Sequence, residues 1–292
     1  MAYPNNPITT PITKKPRKDQ YATQGCNPVI IIGMRLITLN IWGGRNHDPL
    51  LKFIEENRNQ ADIFCFQEVF KSDRNVLNPN SSWSNILEEI QNILPDFKYY
   101  FAPTFHGTDF NNKVDYPLSQ GQSTFWNKKL AIKEKGAIFV NRRENDMGWF
   151  DWGKKPNPPK NFLYTVFSNF LVINFHGYWE PAAKYDTPQR FKQSQMIIEF
   201  IKKYQLPTVI AGDFNLAIDT KALLMFEEAG FRNLVKESHA PTTRSSLYEF
   251  KWRSIDPFAD YIVVSKDIAV HDFKVLPDEI SDHLPLYLEF EV

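Results

Sequence analysis

Ser281-Asp282-His283-Leu284-Pro285 leads into the last apolar run of the chain, Pro285 to Phe290. An adjacent carboxylate and imidazole at the mouth of a buried strand suit hydrolytic chemistry better than packing. Asp ligates hard cations, and His moves protons or faces negative charge near neutral pH. Taken alone, an Asp-His dipeptide reads as a solvent-exposed turn. Here the pattern recurs. Gly212-Asp213-Phe214-Asn215 follows the run Thr208 to Ala211, Phe66-Gln67-Glu68 closes another, Asn174-Phe175-His176 ends a third, and Asn40 lies near the end of Met34 to Ile41. Polar residues stepping off the ends of buried strands are how α/β sheets usually assemble a site.

Working outward, short apolar runs alternate with amphipathic stretches from Met34 onward. Strands are expected at Met34 to Ile41, Asp62 to Gln67, Lys98 to Thr104, Gly121 to Trp126, Ala131 to Val140, Phe162 to Phe167 and Phe170 to Phe175. Thr208 to Ala211, Tyr261 to Val264, Val270 to Val275 and Pro285 to Phe290 extend the series. Asp48-Pro49 predicts an N-cap and first-turn proline for a helix reaching about Asn59. A second helix is expected over Ser82 to Leu94. A third opens at Thr187-Pro188, its buried face marked by Phe191, Ile197, Ile198, Ile201 and Tyr204, opposite Arg190, Lys192 and Lys203. Strands outnumber helices and several neighbours are hairpin-close, so a mixed-sheet α/β (α+β) architecture fits better than a purely parallel one.

Composition narrows the function. At 292 residues, 42% of them apolar, the chain buries a sizeable core without disulfides. Cys26 and Cys65 are not expected to pair, one lying in a tail and one in a strand, which fits a reducing compartment. Lys+Arg and Asp+Glu both total 34, so no basic nucleic-acid-binding face follows from composition. No apolar run approaches the roughly 18 residues of a membrane span, nor is there a secretory apolar core. A cytoplasmic monomer is the expectation, with nuclear location left open by Lys14-Lys15-Pro16-Arg17-Lys18.

Residues 1–30, proline-rich and polar, are expected to be a disordered leader ahead of a single domain over 31–292. Two long polar loops, Phe105 to Gln120 and Asn141 to Lys160, are candidates to line a site. Trp149, Phe150 and Trp152 in the second are expected to pin it to the body; stacking bases or meeting a membrane surface are the functional alternatives.

Taken in order, Leu39-Asn40-Ile41-Trp42-Gly43, Phe66-Gln67-Glu68-Val69, Asn174-Phe175-His176, Gly212-Asp213-Phe214-Asn215, Asp260-Tyr261-Ile262 and Ser281-Asp282-His283-Leu284-Pro285 resemble the endonuclease/exonuclease/phosphatase superfamily. The group includes DNase I-like nucleases, abasic-site endonucleases, sphingomyelinases, inositol polyphosphate 5-phosphatases and deadenylases. The resemblance implies a four-layered sandwich, two mixed sheets face to face with helices outside. It implies Mg²⁺, with Mn²⁺ as a substitute, held by Asn40, Glu68 and Asp282. Asp213 would deprotonate the attacking water, Asn215 would fix water or a phosphoryl oxygen, and His283, polarised by Asp260, would stabilise the phosphorane. His176 would donate to a phosphate oxygen or help protonate the leaving group.

Departures refine the substrate. Leu216-Ala217 stands where phosphoinositide phosphatases carry Tyr-Arg, and His176 where abasic-site endonucleases carry Tyr. Phe175 replaces a small residue, and Phe258-Ala259 precedes the Asp-Tyr pair in place of Arg and a branched residue. The Asn40-Ile41-Trp42-Gly43 start leans toward sphingomyelinase-like members. Thr242-Thr243-Arg244-Ser245 offers Arg244 to a substrate phosphate. The leading expectation is a phosphodiester in nucleic acid. A lipid or small-molecule phosphoester is the alternative within the class, and a non-catalytic binding module on the same scaffold the alternative outside it.

Overall fold

Along the chain the strands are β1 (Met34–Asn40), β2 (Ile63–Ser72), β3 (Phe97–His106), β4 (Leu118–Asn127), β5 (Ile132–Phe139) and the short ribbon β6 (Gly148–Trp149) with β7 (Pro156–Asn157). They continue as β8 (Asn161–Phe167), β9 (Leu171–His176), β10 (Thr208–Asp213), β11 (Phe231–Asn233), β12 (Asp260–Ser265), β13 (Ala269–Val275) and β14 (Leu286–Glu291). The helices are α1 (His47–Asn57), α2 (Ile86–Ile93), α3 (Pro188–Lys202), α4 (Lys221–Glu228), α5 (Leu234–Glu237) and α6 (Phe250–Ile255). The computed structural model describes residues 33–149, 156–180 and 184–292. The expected leader, Phe150 and Trp152 lie outside them.

Two six-stranded sheets carry the fold, in the orders β13-β14-β1-β2-β4-β3 and β11-β12-β10-β9-β8-β5. In the first, β1 and β2 run parallel; in the second, β9 and β10 do, and every other pairing in both sheets is antiparallel. Each sheet is therefore mixed, with its one parallel pair at the centre. Residues Gly33–Val292 form one compact unit.

Strand periodicity sorts the layers. Along β1 and β2, Leu36, Ile63 and Cys65 join the core shared with the second sheet, whereas Ile37, Leu39, Phe64 and Phe66 join Leu50, Phe53 and Ile54 of α1 and Ile86, Leu87 and Ile90 of α2. On the far side, Ile197 and Ile201 of α3 and Leu223 and Phe226 of α4 cover the second sheet. Helix, sheet, sheet and helix make the four layers.

Toward the carboxyl ends of the central strands the space between the sheets turns polar. Gln67 Nε2 donates to Asn174 Oδ1 at 2.7 Å and to Thr38 Oγ1 at 3.2 Å, and Asn174 Nδ2 donates to the Ser123 carbonyl at 2.9 Å. All four residues are buried. These amides join the two sheets directly beneath the cleft described below, where an unpaired polar group is costly and the sheets cannot slip.

Strands β6, β7 and β11 and helices α4 to α6 were not expected from the sequence, and four local readings differ from the structure. Helix α1 starts at His47, with Asp48 in its first turn and no side-chain cap from Asn46. Helix α2 starts at Ile86 because Ser82 and Ser84 bond the preceding loop instead: Ser82 N donates to the Asn80 side-chain Oδ1, and Ser84 Oγ accepts from Val76 N and donates to the Arg74 carbonyl. Strand β2 runs past Glu68 to Ser72. Arg190, expected on the exposed face of α3, is fully buried beside Gln193 and Ser194 and donates from Nη1 to the Tyr185 carbonyl.

Candidate active site

The carboxyl ends of β1, β2, β9 and β10 meet at one edge of the sandwich. There Glu68, His176, Asp213, Asn215, Arg244, Asp282 and His283 line a cleft of about 260 Å³. Asn40 and Asp260 stand behind it, each hydrogen-bonded to a lining residue. All nine residues named from the sequence thus come together, from positions as distant as Asn40 and His283. Both long polar loops reach the cleft as well, through Phe105, Asp109, Phe110, Asn111 and Gln120 and through Pro158 and Lys160.

Backbone geometry aims these groups. At Glu68 the pairing of β2 with β4 shifts register between Phe66 and Val69, and Glu68 adopts φ 57°. This bulge in the middle of β2 sends Gln67 into the inter-sheet network and turns Glu68 toward the cleft. Asn215, at φ 53°, uses the tolerance of Asn for the left-handed region. Its amide N donates to Asp213 Oδ1 at 2.9 Å and its Nδ2 to the Gly177 carbonyl at 3.1 Å. Phe214 anchors the same turn, edge-on to Phe175 at 5.1 Å and to Tyr261 at 5.4 Å.

Gly212 is required twice over. Its φ is 140°, and a Cβ there would lie 2.1 Å from the Phe175 carbonyl oxygen. Gly212→Ala is therefore expected to lower stability by about 2 kcal/mol or more and to displace Asp213. Denaturant unfolding measures it; a variant as stable as the parent would refute the steric argument.

Asp213 is the electrostatic centre. Its Oδ2 accepts from Asn40 Nδ2 at 3.1 Å and lies 3.7 Å from His283 Nε2 and 3.8 Å from His176 Nε2. Burial alone would raise its pKa, but the charges of His283, His176, Arg244 and Lys184 more than offset this and hold the carboxyl well below the usual range. His283 Nδ1 donates to Asp260 Oδ2 at 2.7 Å. Its Nε2 contacts Arg244 Nη1. Burial and Arg244 lower its pKa, yet Asp260, Asp282 and Asp213 outweigh them and raise it. Asp260 is itself fixed by Thr243, whose Oγ1 accepts its backbone N–H at 3.2 Å.

Two buried lysines escaped the sequence reading. Lys160 Nζ donates to His176 Nε2 at 2.6 Å. Burial lowers it to about 8, while Glu68 and Asp213 favour its charged form. His176 is pushed well below its ordinary value by burial and by Lys160. Lys184 Nζ donates to the Phe258 carbonyl at 3.0 Å, and burial brings it to about 7. Isolated lysines near loop ends carry no periodic or motif signal. Only the position of Lys160 directly before an apolar strand pointed inward.

For a cation, the donor set is oxygen-rich. Glu68 keeps 32% of its side chain exposed and Asp282 12%. Burial raises Glu68's pKa and Lys160 opposes this, but the carboxylates of Asp282 and Asp213 add to the rise, the repulsion a bound cation relieves. Asn40 Oδ1 accepts from Trp42 N at 3.0 Å and retains a second lone pair. The ligand atoms of Asp213, Asp260 and His283 also lie within 4.8 Å of one another and could hold a metal.

A four-layered sandwich with acids, amides and imidazoles gathered at the ends of its central strands is the architecture of a phosphoester hydrolase. The model of the Endonuclease/Exonuclease/phosphatase family matches residues 37–283, and the chain belongs to that family, whose members hydrolyse phosphoester bonds. Among solved structures it is similar to the endonuclease/exonuclease/phosphatase from Bacteroides vulgatus, with TM-score 0.59 and 19% identity over 89% of this chain and 99% of that one. The mannosyl-6-phosphatase Bt3783 of Bacteroides thetaiotaomicron VPI-5482 matches with TM-score 0.62 and 18% identity, covering 89% and 100%. The human Nocturnin catalytic domain, solved with a bound sulfate anion, matches with TM-score 0.59 and 17% identity, covering 89% and 94%. At these identities the likeness is one of fold. A comparison with curated protein sequences finds no significant match.

Proposed function

We propose that this chain is a Mg²⁺-dependent phosphodiesterase acting on nucleic acid, with Mn²⁺ able to substitute. The observation that carries the reading is Asp213: an ionised carboxylate between two imidazoles on the floor of a cleft, beside the open carboxylates of Glu68 and Asp282. Asn40, Glu68 and Asp282 would hold the cation. This set is favoured over Asp213, Asp260 and His283, whose facing atoms are already engaged: His283 with Asp260 and Arg244, and Asp213 with Asn40 and the Asn215 amide. When bound, the cation supplies charge neutralisation at the phosphoryl group.

Asp213 takes the proton of the attacking water. The cations that depress its pKa become shared with the incoming phosphoryl oxygens, and its proton affinity then rises when it is needed. Asn215 holds the water or a phosphoryl oxygen. His283, steadied by Asp260, faces charge developing on phosphorus, and Arg244 binds a phosphate oxygen. Nucleic acid is favoured by the rings lining the cleft, Trp42, Phe110, Trp179 and Tyr248, with Arg45 stacked 4.8 Å over Trp42 and Arg244 4.2 Å over Tyr248. One arm of the cleft, lined by Asn80, Ser82, Asn111 and Gln120, favours a second reading, a small sugar phosphate.

The test is hydrolysis with Mg²⁺ or EDTA on supercoiled plasmid, single-stranded oligonucleotide, hexose phosphate and sphingomyelin vesicles. Metal-dependent cleavage of either nucleic acid is expected. Turnover of hexose phosphate or lipid alone would replace the substrate, and no turnover with metal bound would favour a binding module.

Metal binding should depend on pH. Because Glu68's pKa is raised, falling pH protonates a ligand, and the proton competes with the cation. Below that pKa the Mg²⁺ Kd is expected to rise roughly tenfold per pH unit. Glu68→Gln should weaken binding and flatten this dependence. Calorimetry between pH 4 and 7 reads it, and a constant Kd in the parent chain rules Glu68 out as a ligand.

A further inference from the structure

Lys160 is 7% exposed, and its ammonium lies 2.6 Å from His176 Nε2 and 3.3 Å from Nδ1. Across the cleft Arg244 stands to His283 as Lys160 stands to His176, with Nη1 on the imidazole Nε2. Asp213 Oδ2 sits between the imidazoles. The five side chains form a row, Lys160, His176, Asp213, His283, Arg244, capped at each end by a cation that lines the cleft.

An ammonium has three N–H donors. Among the described residues His176 is the only hydrogen-bond partner of the Lys160 side chain, so donors remain for the cleft. Nζ stands beside both ring nitrogens, so the lysine ammonium adds a charged donor next to the imidazole on this side of Asp213.

We propose that Lys160 is a catalytic residue: its ammonium donates to a phosphoryl oxygen of the substrate over Asp213, opposite Arg244, and His176 is its positioning partner. The inference rests on the phosphoester-hydrolase reading. A phosphoryl group gripped from two sides is held in line with the water at Asp213, and both donors strengthen as charge builds on its oxygens.

The test uses the whole chain and the variants Lys160→Met and Lys160→Arg. The backbone of Lys160 keeps its bonds to Asn141 Oδ1 and Val140 N, and thermal unfolding checks that losing the charge beside Glu68 and Asp213 leaves the chain folded. Lys160→Met should lower kcat roughly 100-fold. With Mg²⁺ present it should weaken binding of inorganic phosphate about tenfold by calorimetry. Lys160→Arg should restore part of both. If Lys160 only neutralises Glu68 and Asp213, the Met variant binds Mg²⁺ more tightly while kcat and phosphate affinity stay within threefold of the parent, and the assignment falls. A parent chain that binds phosphate but hydrolyses no ester would sink the hydrolase reading, while the binding comparison still decides the Lys160 contact. A parent that binds no phosphate overturns both.

Discussion

Asp213→Asn is expected to lower kcat by roughly 10³-fold while the chain stays folded. The replacement is isosteric and keeps an oxygen for the Asn215 amide N–H, now accepted by Oδ1 at 2.9 Å. It removes the charge facing His283 and His176 and sets an amide NH₂ against Asn40 Nδ2, losing one hydrogen bond, a cost of about 1 kcal/mol. What disappears is proton acceptance from water, which no neighbour can replace: Asp260 is bonded to His283, and Glu68 and Asp282 are needed for the cation. Steady-state kinetics with circular-dichroism melting separate chemistry from folding. A folded variant within tenfold of the parent kcat would remove Asp213 from the mechanism. Since Asp213's pKa is held well below the ordinary carboxylate range, the acid limb of the parent's pH–rate profile should belong to another group.

His283→Ala is expected to reduce kcat by about 10²–10³-fold, the size typical of removing one transition-state donor. It also strands Asp260, a buried carboxylate whose pKa burial already raises and which His283 steadies. Some of the stability lost on mutation will therefore come from Asp260 rather than from the imidazole. Asp260→Asn acts only through His283 and should cost less. Combined with His283→Ala, it should add almost nothing to the kinetic loss. Additive losses in the double variant would mean that Asp260 has a role of its own, and unchanged kcat in His283→Ala would exclude His283 from the chemistry.

The residues that could be read in advance share one property: a polar group terminating or interrupting a strongly apolar run. Asn40, His176, Asp213 and Asp282 each stand out against such a run, whereas Arg244 was singled out as a cation in the polar Thr-Thr-Arg-Ser loop ahead of the Asp260 strand. Lys160 and Lys184 had no such background. Arg190 was misplaced for a related reason: helical periodicity assigns a charged residue to water, but a partner such as the Tyr185 carbonyl can draw it inside. Glu68 was recognised but set at a strand end. A bulge is a tertiary compromise between β2 and β4, and neither strand's own pattern shows it.

By itself the sequence determined the main strands, the helices α1 to α3, the mixed-sheet α/β class, and the acids, amides and imidazoles that make a site, because those follow from local periodicity and composition; β6, β7, β11 and α4 to α6 were not expected, and the four layers were implied by the family resemblance. Only the tertiary structure decided that Asn40 donates to Asp213 across 173 residues, that Gln67 and Asn174 tie the sheets together beneath them, and that each imidazole is capped by a buried cation. The reason is physical. A buried charge or amide is stable only beside a partner, and these partners meet through the packing of one sheet on the other, as for Asn40 with Asp213, or through pairing of segments distant in sequence, as for Arg244 with His283.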